Sequence, residues 1–146
     1  MKAIINRISI KLVSLALISL VLLLNLVSCA KKIPFQTSVQ VPAARGNVTY
    51  KKDKNNNYEI KLQITYLAEP NRLQPPKTAY VVWLDSNQNS NPINLGQIVG
   101  TSNLKIKFET VSSSKPKRIF ITAEDDPSVQ YPGSYLVLET NDFWLF

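Results

Sequence analysis

"YEIKLQITY", residues 58–66, decides the fold class. Tyr58, Ile60, Leu62, Ile64 and Tyr66 are apolar, and Glu59, Lys61, Gln63 and Thr65 between them are polar. A strict period of two puts one face on a core and the other in water, the signature of a half-buried strand. The same alternation recurs in "GNVTYKK" (46–52), "LKIKFET" (104–110) and "KRIFITAE" (117–124). "AYVVWL" (79–84) is apolar on both faces and reads as a central strand. "INLGQIVG" (93–100) and "SYLVLET" (134–140) complete a set of seven.

Turn chemistry separates these runs. Asp53-Lys54-Asn55-Asn56-Asn57 suits a hairpin loop. Pro70, Pro75 and Pro76 break a longer connection, Pro92 precedes one strand, and Pro132-Gly133 precedes the last. No segment of residues 46–146 carries a helical period. Seven short antiparallel strands over about 100 residues predict an all-β, immunoglobulin-like β-sandwich. Trp83 is expected in its core. There is no disulfide for it to pack on, because the chain has a single cysteine.

That cysteine, Cys29, follows an apolar run, "LVSLALISLVLLLNLV" (12–27), with Lys2, Arg7 and Lys11 ahead of it. The run falls short of the roughly 20 residues that span a bilayer, and Ser14, Ser19 and Asn25 interrupt it, which favours a signal peptide. Leu26-Val27-Ser28-Cys29 resembles the lipobox of bacterial lipoproteins. The resemblance implies cleavage after Ser28, acylation of Cys29 (a palmitate-type anchor) and an extracytoplasmic mature chain. Ala30, rather than aspartate, follows Cys29, which favours the outer membrane over the inner. The expected organisation is a signal peptide over 1–28, a lipidated cysteine and flexible tether over 29–45, and the sandwich over 46–146. A flexible tether of that length would span about 20–25 Å.

Composition narrows the chemistry. The chain carries 17 Lys+Arg against 10 Asp+Glu. Setting aside Lys2, Arg7 and Lys11 leaves 14 against 10, or +4, spread along the chain rather than gathered as nucleic-acid binding requires. Without histidine and with one thiol, Ser-His-Asp and Cys-His catalysis and the usual zinc sites are excluded. Residues 85–91, "DSNQNSN", have oxygen-bearing side chains at alternate positions like the start of a calcium loop. Ser90 and Gly96 stand where that loop needs glycine and glutamate, so a polar turn is expected. Glu124-Asp125-Asp126 is the one acidic cluster. Before Pro127 it reads as a solvated turn, with weak cation binding as the alternative. Phe143, Trp144, Leu145 and Phe146 are expected to fold back on the sandwich. Otherwise they are a candidate contact surface for a partner protein or a membrane.

"AYVVWLDS", "INLGQIVG" and "KRIFITAEDDPSVQYPGSYLVLET" are together similar to the extracytoplasmic C-terminal domain of anti-sigma-K-type factors. The similarity runs through Tyr80 to Leu84, Leu95-Gly96, Ile119 to Glu124 and Pro132-Gly133. It implies the sandwich fold and an envelope location. It does not carry over sigma binding, because the 11 residues before the apolar run hold no zinc ligands. The expectation is a lipid-anchored envelope protein with no enzymatic activity and no cofactor or metal. Its partners would be the membrane, through the anchor, and an envelope protein or glycan. An accessory or sensory component of an anti-sigma-like signalling complex is the alternative.

Overall fold

The computed structural model describes residues 32–99 and 105–143. Eight strands form two antiparallel four-stranded sheets that face each other: β1 (Lys32–Pro34), β2 (Arg45–Lys52), β3 (Tyr58–Thr65) and β6 (Lys105–Ser112) in one, β5 (Ile93–Ile98), β4 (Ala79–Asp85), β7 (Arg118–Glu124) and β8 (Leu136–Glu139) in the other, each in that order. With β1 set aside, the first, second and fifth strands make one sheet and the remaining four the other, an immunoglobulin-like order. The only helical element among the described residues is a single 3-10 turn at Pro70–Arg72.

Register turns alternation into a core. Val48 of β2 lies beside Leu62 of β3, which lies beside Phe108 of β6. Gly46, Ile64 and Ile106 form the next row. From the second sheet, Tyr80, Val82, Leu84, Ile119, Ile121 and Leu138 pack against them. All of these second-sheet residues are essentially inaccessible to water. The polar residues of the same strands cover the outer face of the first sheet, where Lys51 pairs with Glu59 at 3.0 Å and Lys61 with Glu109 at 2.8 Å. The bond from Lys61 holds the Glu109 carboxyl below its ordinary range and raises the lysine in turn. Such exposed pairs contribute little to stability.

The sandwich has two distinct ends. One carries the β2–β3, β4–β5 and β6–β7 connections and is called the hairpin end here. The other carries residues 36–44 and 66–78, which pass between the sheets.

The expected tether over 29–45 is not a tether from Lys32 onward. Ile33 and Phe35 are buried, and β1 pairs with β2 through Ile33 and Val48. The Phe35 amide donates to Gly46 O at 3.0 Å, and the Gln36 amide donates to Glu139 O at 2.8 Å. The first strand therefore runs down the edge of one sheet and then bridges to β8 of the other, where Phe35 faces Thr140. Beyond it Val41 and Ala44 close the core, held by a bond from the Val41 amide to Ser38 Oγ. Gly46 makes the passage possible. A Cβ there would lie 2.6 Å from the carbonyl oxygen of Gln63 and 3.1 Å from Phe35.

Trp83 is buried, but not between the sheets. Tyr80, Val82 and Leu84 face inward, so Val81 and Trp83 face the other way. A second, smaller core of Val81, Trp83 and Phe120 lies on the outer face of the second sheet, with Val129 of the β7–β8 connection packed on it. Asn94 fixes that connection, its amide donating to the carbonyls of Pro127 and Val129. Asn94 reaches them from a bulge in β5, where Gly96 adopts a φ of 122°, a conformation that favours glycine.

Candidate functional site

Three connections meet at the hairpin end. In the β2–β3 turn, Asp53 Oδ1 accepts from the amides of Asn55 and Asn57, at 2.7 and 2.9 Å, and Asn56 takes a left-handed φ of 66°. The β4–β5 connection starts with Ser86, whose Oγ accepts from the Gln88 amide. The β6–β7 connection is joined to it by a bond from Asn89 Nδ2 to Ser114 Oγ. Residues 85–91 are thus the polar turn expected of them. Asp85 is not aimed at a cation site, because it binds Arg118 at 2.6 Å.

Between these connections lies a cleft of about 360 Å³, bounded by Tyr50, Ser86, Gln88, Lys115, Lys117 and Phe143 among others. Phe143 is buried and stacks on Tyr50, with centroids 5.1 Å apart and planes at 12°. Its amide donates to Lys117 O. Phe143 thus folds back on the sandwich, with its ring packed in the core. Trp144, Leu145 and Phe146 lie outside the described residues, as does Cys29.

The electrostatics of this end are one-sided. Among the described residues every side-chain carboxylate here has an internal commitment: Asp53 in its turn, Glu59 with Lys51, Asp85 and Glu139 with Arg118, and Asp142 with Lys117 at 3.7 Å. Lys52, Lys54 and Lys115 are exposed and have no acidic partner among the described residues.

The acidic stretch at the opposite end does not act as a unit. Asp125 pairs with Lys77 at 2.7 Å, and Asp126 accepts from the hydroxyl and amide of Ser128, which lowers its pKa. Glu124, expected in a solvated turn, is buried instead. Its carboxylate accepts from Thr122 Oγ1 and from the Gly133 amide, while Thr122 accepts from the Trp83 indole at 2.7 Å. No group of three or more metal-ligating side chains forms among the described residues. One signal could have exposed this network. If both faces of "AYVVWL" are buried, the outer residues Phe120, Thr122 and Glu124 of its neighbour must be covered as well.

A second groove, of about 350 Å³, separates residues 36–40 from β8. Exposed apolar side chains also gather in the connections away from the hairpin end: Val39, Tyr66, Val99 and Tyr131, with Leu136 at the start of β8.

Compared with known proteins, the chain matches no family model, no curated sequence and no solved structure.

Proposed function

We propose that this chain is a lipid-anchored, extracytoplasmic binding module, fixed to a membrane at its hairpin end and presenting its other end to a protein of the envelope. The observation that carries the reading is the position of β1. The strand enters at Lys32, beside Thr49, and runs away from the β2–β3 hairpin. Cys29 precedes Lys32 by three residues, so a lipid on its thiol sits within about 11 Å of chain from the sandwich. Two or more acyl chains there hold a protein stably. The exposed Tyr66, Val99 and Tyr131 then lie in the connections that leave the end away from the membrane. Aromatic side chains in such positions suit a protein surface. The carboxylates support binding rather than acid–base catalysis, since each is engaged in an ion pair, a turn or, for Glu124, a buried hydrogen-bond network.

The similarity to anti-sigma-K-type domains favours a signalling assembly as the place of action. Tyr80 to Leu84 and Ile119 to Glu124 are neighbours in the second sheet, and Gly133 binds Glu124, so the similar segments form one contiguous unit.

Two measurements test the proposal. Metabolic labelling with a fatty acid should mark the wild-type protein and not Cys29→Ala, which should accumulate as the precursor. A wild-type mass retaining residues 1–28 would refute the anchor. Photo-crosslinkers at Tyr66 and Tyr131 should capture one envelope protein in intact cells, and crosslinkers in the outer face of the first sheet should not. Equal capture from both faces would refute the assignment of the binding end.

A further inference from the structure

We infer that the hairpin end docks directly on anionic lipid headgroups through Lys52, Lys54 and Lys115, so that the sandwich stands end-on to the bilayer. The inference rests on the reading of Cys29 as a lipid-bearing residue and adds a reversible contact beside that anchor.

Geometry and charge converge on it. With β1 packed into the sandwich, only Ala30 and Lys31 separate Cys29 from Lys32. The module cannot drift more than about 11 Å of chain from the headgroups, little beyond the screening length of about 8 Å, whereas a chain on a long tether could move well clear of the surface charge. At the hairpin end the carboxylates are paired or locked in a turn, which leaves three exposed ammonium groups facing outward. Each basic residue close to an anionic leaflet strengthens association about fivefold, so three together give on the order of a hundredfold.

The outer face of the first sheet is the competing surface, with Lys32, Lys105 and Lys107. There the lysines are interleaved with Glu59 and Glu109, and the face has no apolar contribution to make beyond Val111. At the hairpin end the carboxylates of Asp53 and Asp142 are spent, one in its turn and the other on Lys117, and Lys52, Lys54 and Lys115 stay exposed.

The test is a lysine footprint. The protein purified from cell membranes is reconstituted in vesicles of phosphatidylcholine alone or with one-third phosphatidylglycerol, then exposed briefly to an amine-acylating reagent and read by mass spectrometry. Lys52, Lys54 and Lys115 should react at least threefold more slowly on the anionic vesicles, with Lys105 and Lys107 unchanged and the difference lost in 1 M salt. In K52Q/K54Q/K115Q, protection of the neighbouring Lys51 should disappear. Equal reactivity of the three lysines on both vesicles would overturn the inference, and so would selective protection of Lys105 and Lys107. Co-sedimentation with the uncharged vesicles reads the anchor separately. A protein that left those vesicles yet was protected on anionic ones would refute the lipid on Cys29 while upholding the docking.

Discussion

The indole N–H of Trp83 is satisfied by the hydroxyl of Thr122 at 2.7 Å, across the β4–β7 pair and on the outer face of the second sheet. The Thr122 hydroxyl in turn donates a hydrogen bond to Glu124, and Glu124 also accepts from the Gly133 amide. One threonine thus connects a buried tryptophan to a buried carboxylate and, through it, to the connection that covers both.

Thr122→Val keeps the shape and removes the relay. The indole donor loses its acceptor and the carboxylate loses a donor, each at a cost of about 1–3 kcal/mol when buried. The variant should fold and lose about 2–4 kcal/mol in chemical denaturation. Trp83→Ala removes the ring as well and should cost about 3–5 kcal/mol. A Thr122→Val protein as stable as wild type would show that the network adds nothing to the fold.

Gly46→Ala tests the attachment of β1. The added methyl meets the Gln63 carbonyl at 2.6 Å and the ring of Phe35 at 3.1 Å. Overpacking of this kind costs about 1–3 kcal/mol. Phe35 is the neighbour able to move, so hydrogen exchange at the Phe35 and Gln36 amides should rise more than at Leu62 or Ile64. Uniform acceleration across the first sheet would contradict that localisation.

Tyr80 carries the alkaline limb of the stability curve. Its hydroxyl donates to Ala68 O at 2.9 Å, and burial, helped by Tyr135, pushes its pKa well above the ordinary value of 10. Below pH 10 the phenol is neutral folded or unfolded, and its contribution is complete. Above pH 10 the unfolded chain ionises first, so stability falls as pH rises toward the folded-state pKa. Tyr80→Phe should lose about 0.5–1.5 kcal/mol at neutral pH with the hydrogen bond, and the difference from wild type should shrink between pH 10 and 11.5 in urea denaturation. A constant difference over that range would contradict this account.

Phe143→Ala should cost about 3–5 kcal/mol, as expected for a buried aromatic, because the ring fills the space over Tyr50. Tyr50→Ala combined with it should cost less than the two losses added, since each removes the same stack. Additive losses would show that the rings are energetically independent.

Much of this arrangement was legible in the sequence. Most of the seven strands follow from alternation, as Ile60, Leu62 and Ile64 show in β3, and β4 follows from a run that is apolar on both faces. β1 escaped because three residues, Lys32–Pro34, show no period, and a proline at the last of them suggests a break. Trp83 was recognisable as buried, but not its side of the sheet. Alternation gives relative faces, and only the long connection that places Val129 over the outer face makes that face dry. Glu124 escaped for the same reason, since its desolvation depends on Gly133, nine residues on. The free lysines of the hairpin end could not be separated from the paired ones by composition. Pairing is a matter of register: Lys51 lies opposite Glu59 in the β2–β3 ladder, whereas Lys52 lies opposite Tyr58.

The path of β1 also determines how the molecule bears tension. Pull on a lipid at Cys29 would be transmitted along the axis of β1, lengthwise against its antiparallel neighbour β2, while a partner held at the far end resisted it. The β1–β2 bonds and the bonds of Phe35 and Gln36 to Gly46 and Glu139 would then be loaded in shear, all at once, instead of being peeled open one at a time. Through those last two bonds the load passes into both sheets. With the proposed anchor in place, a strand of three residues would serve as a cable clamp, spreading a force applied at one thiol over the whole sandwich.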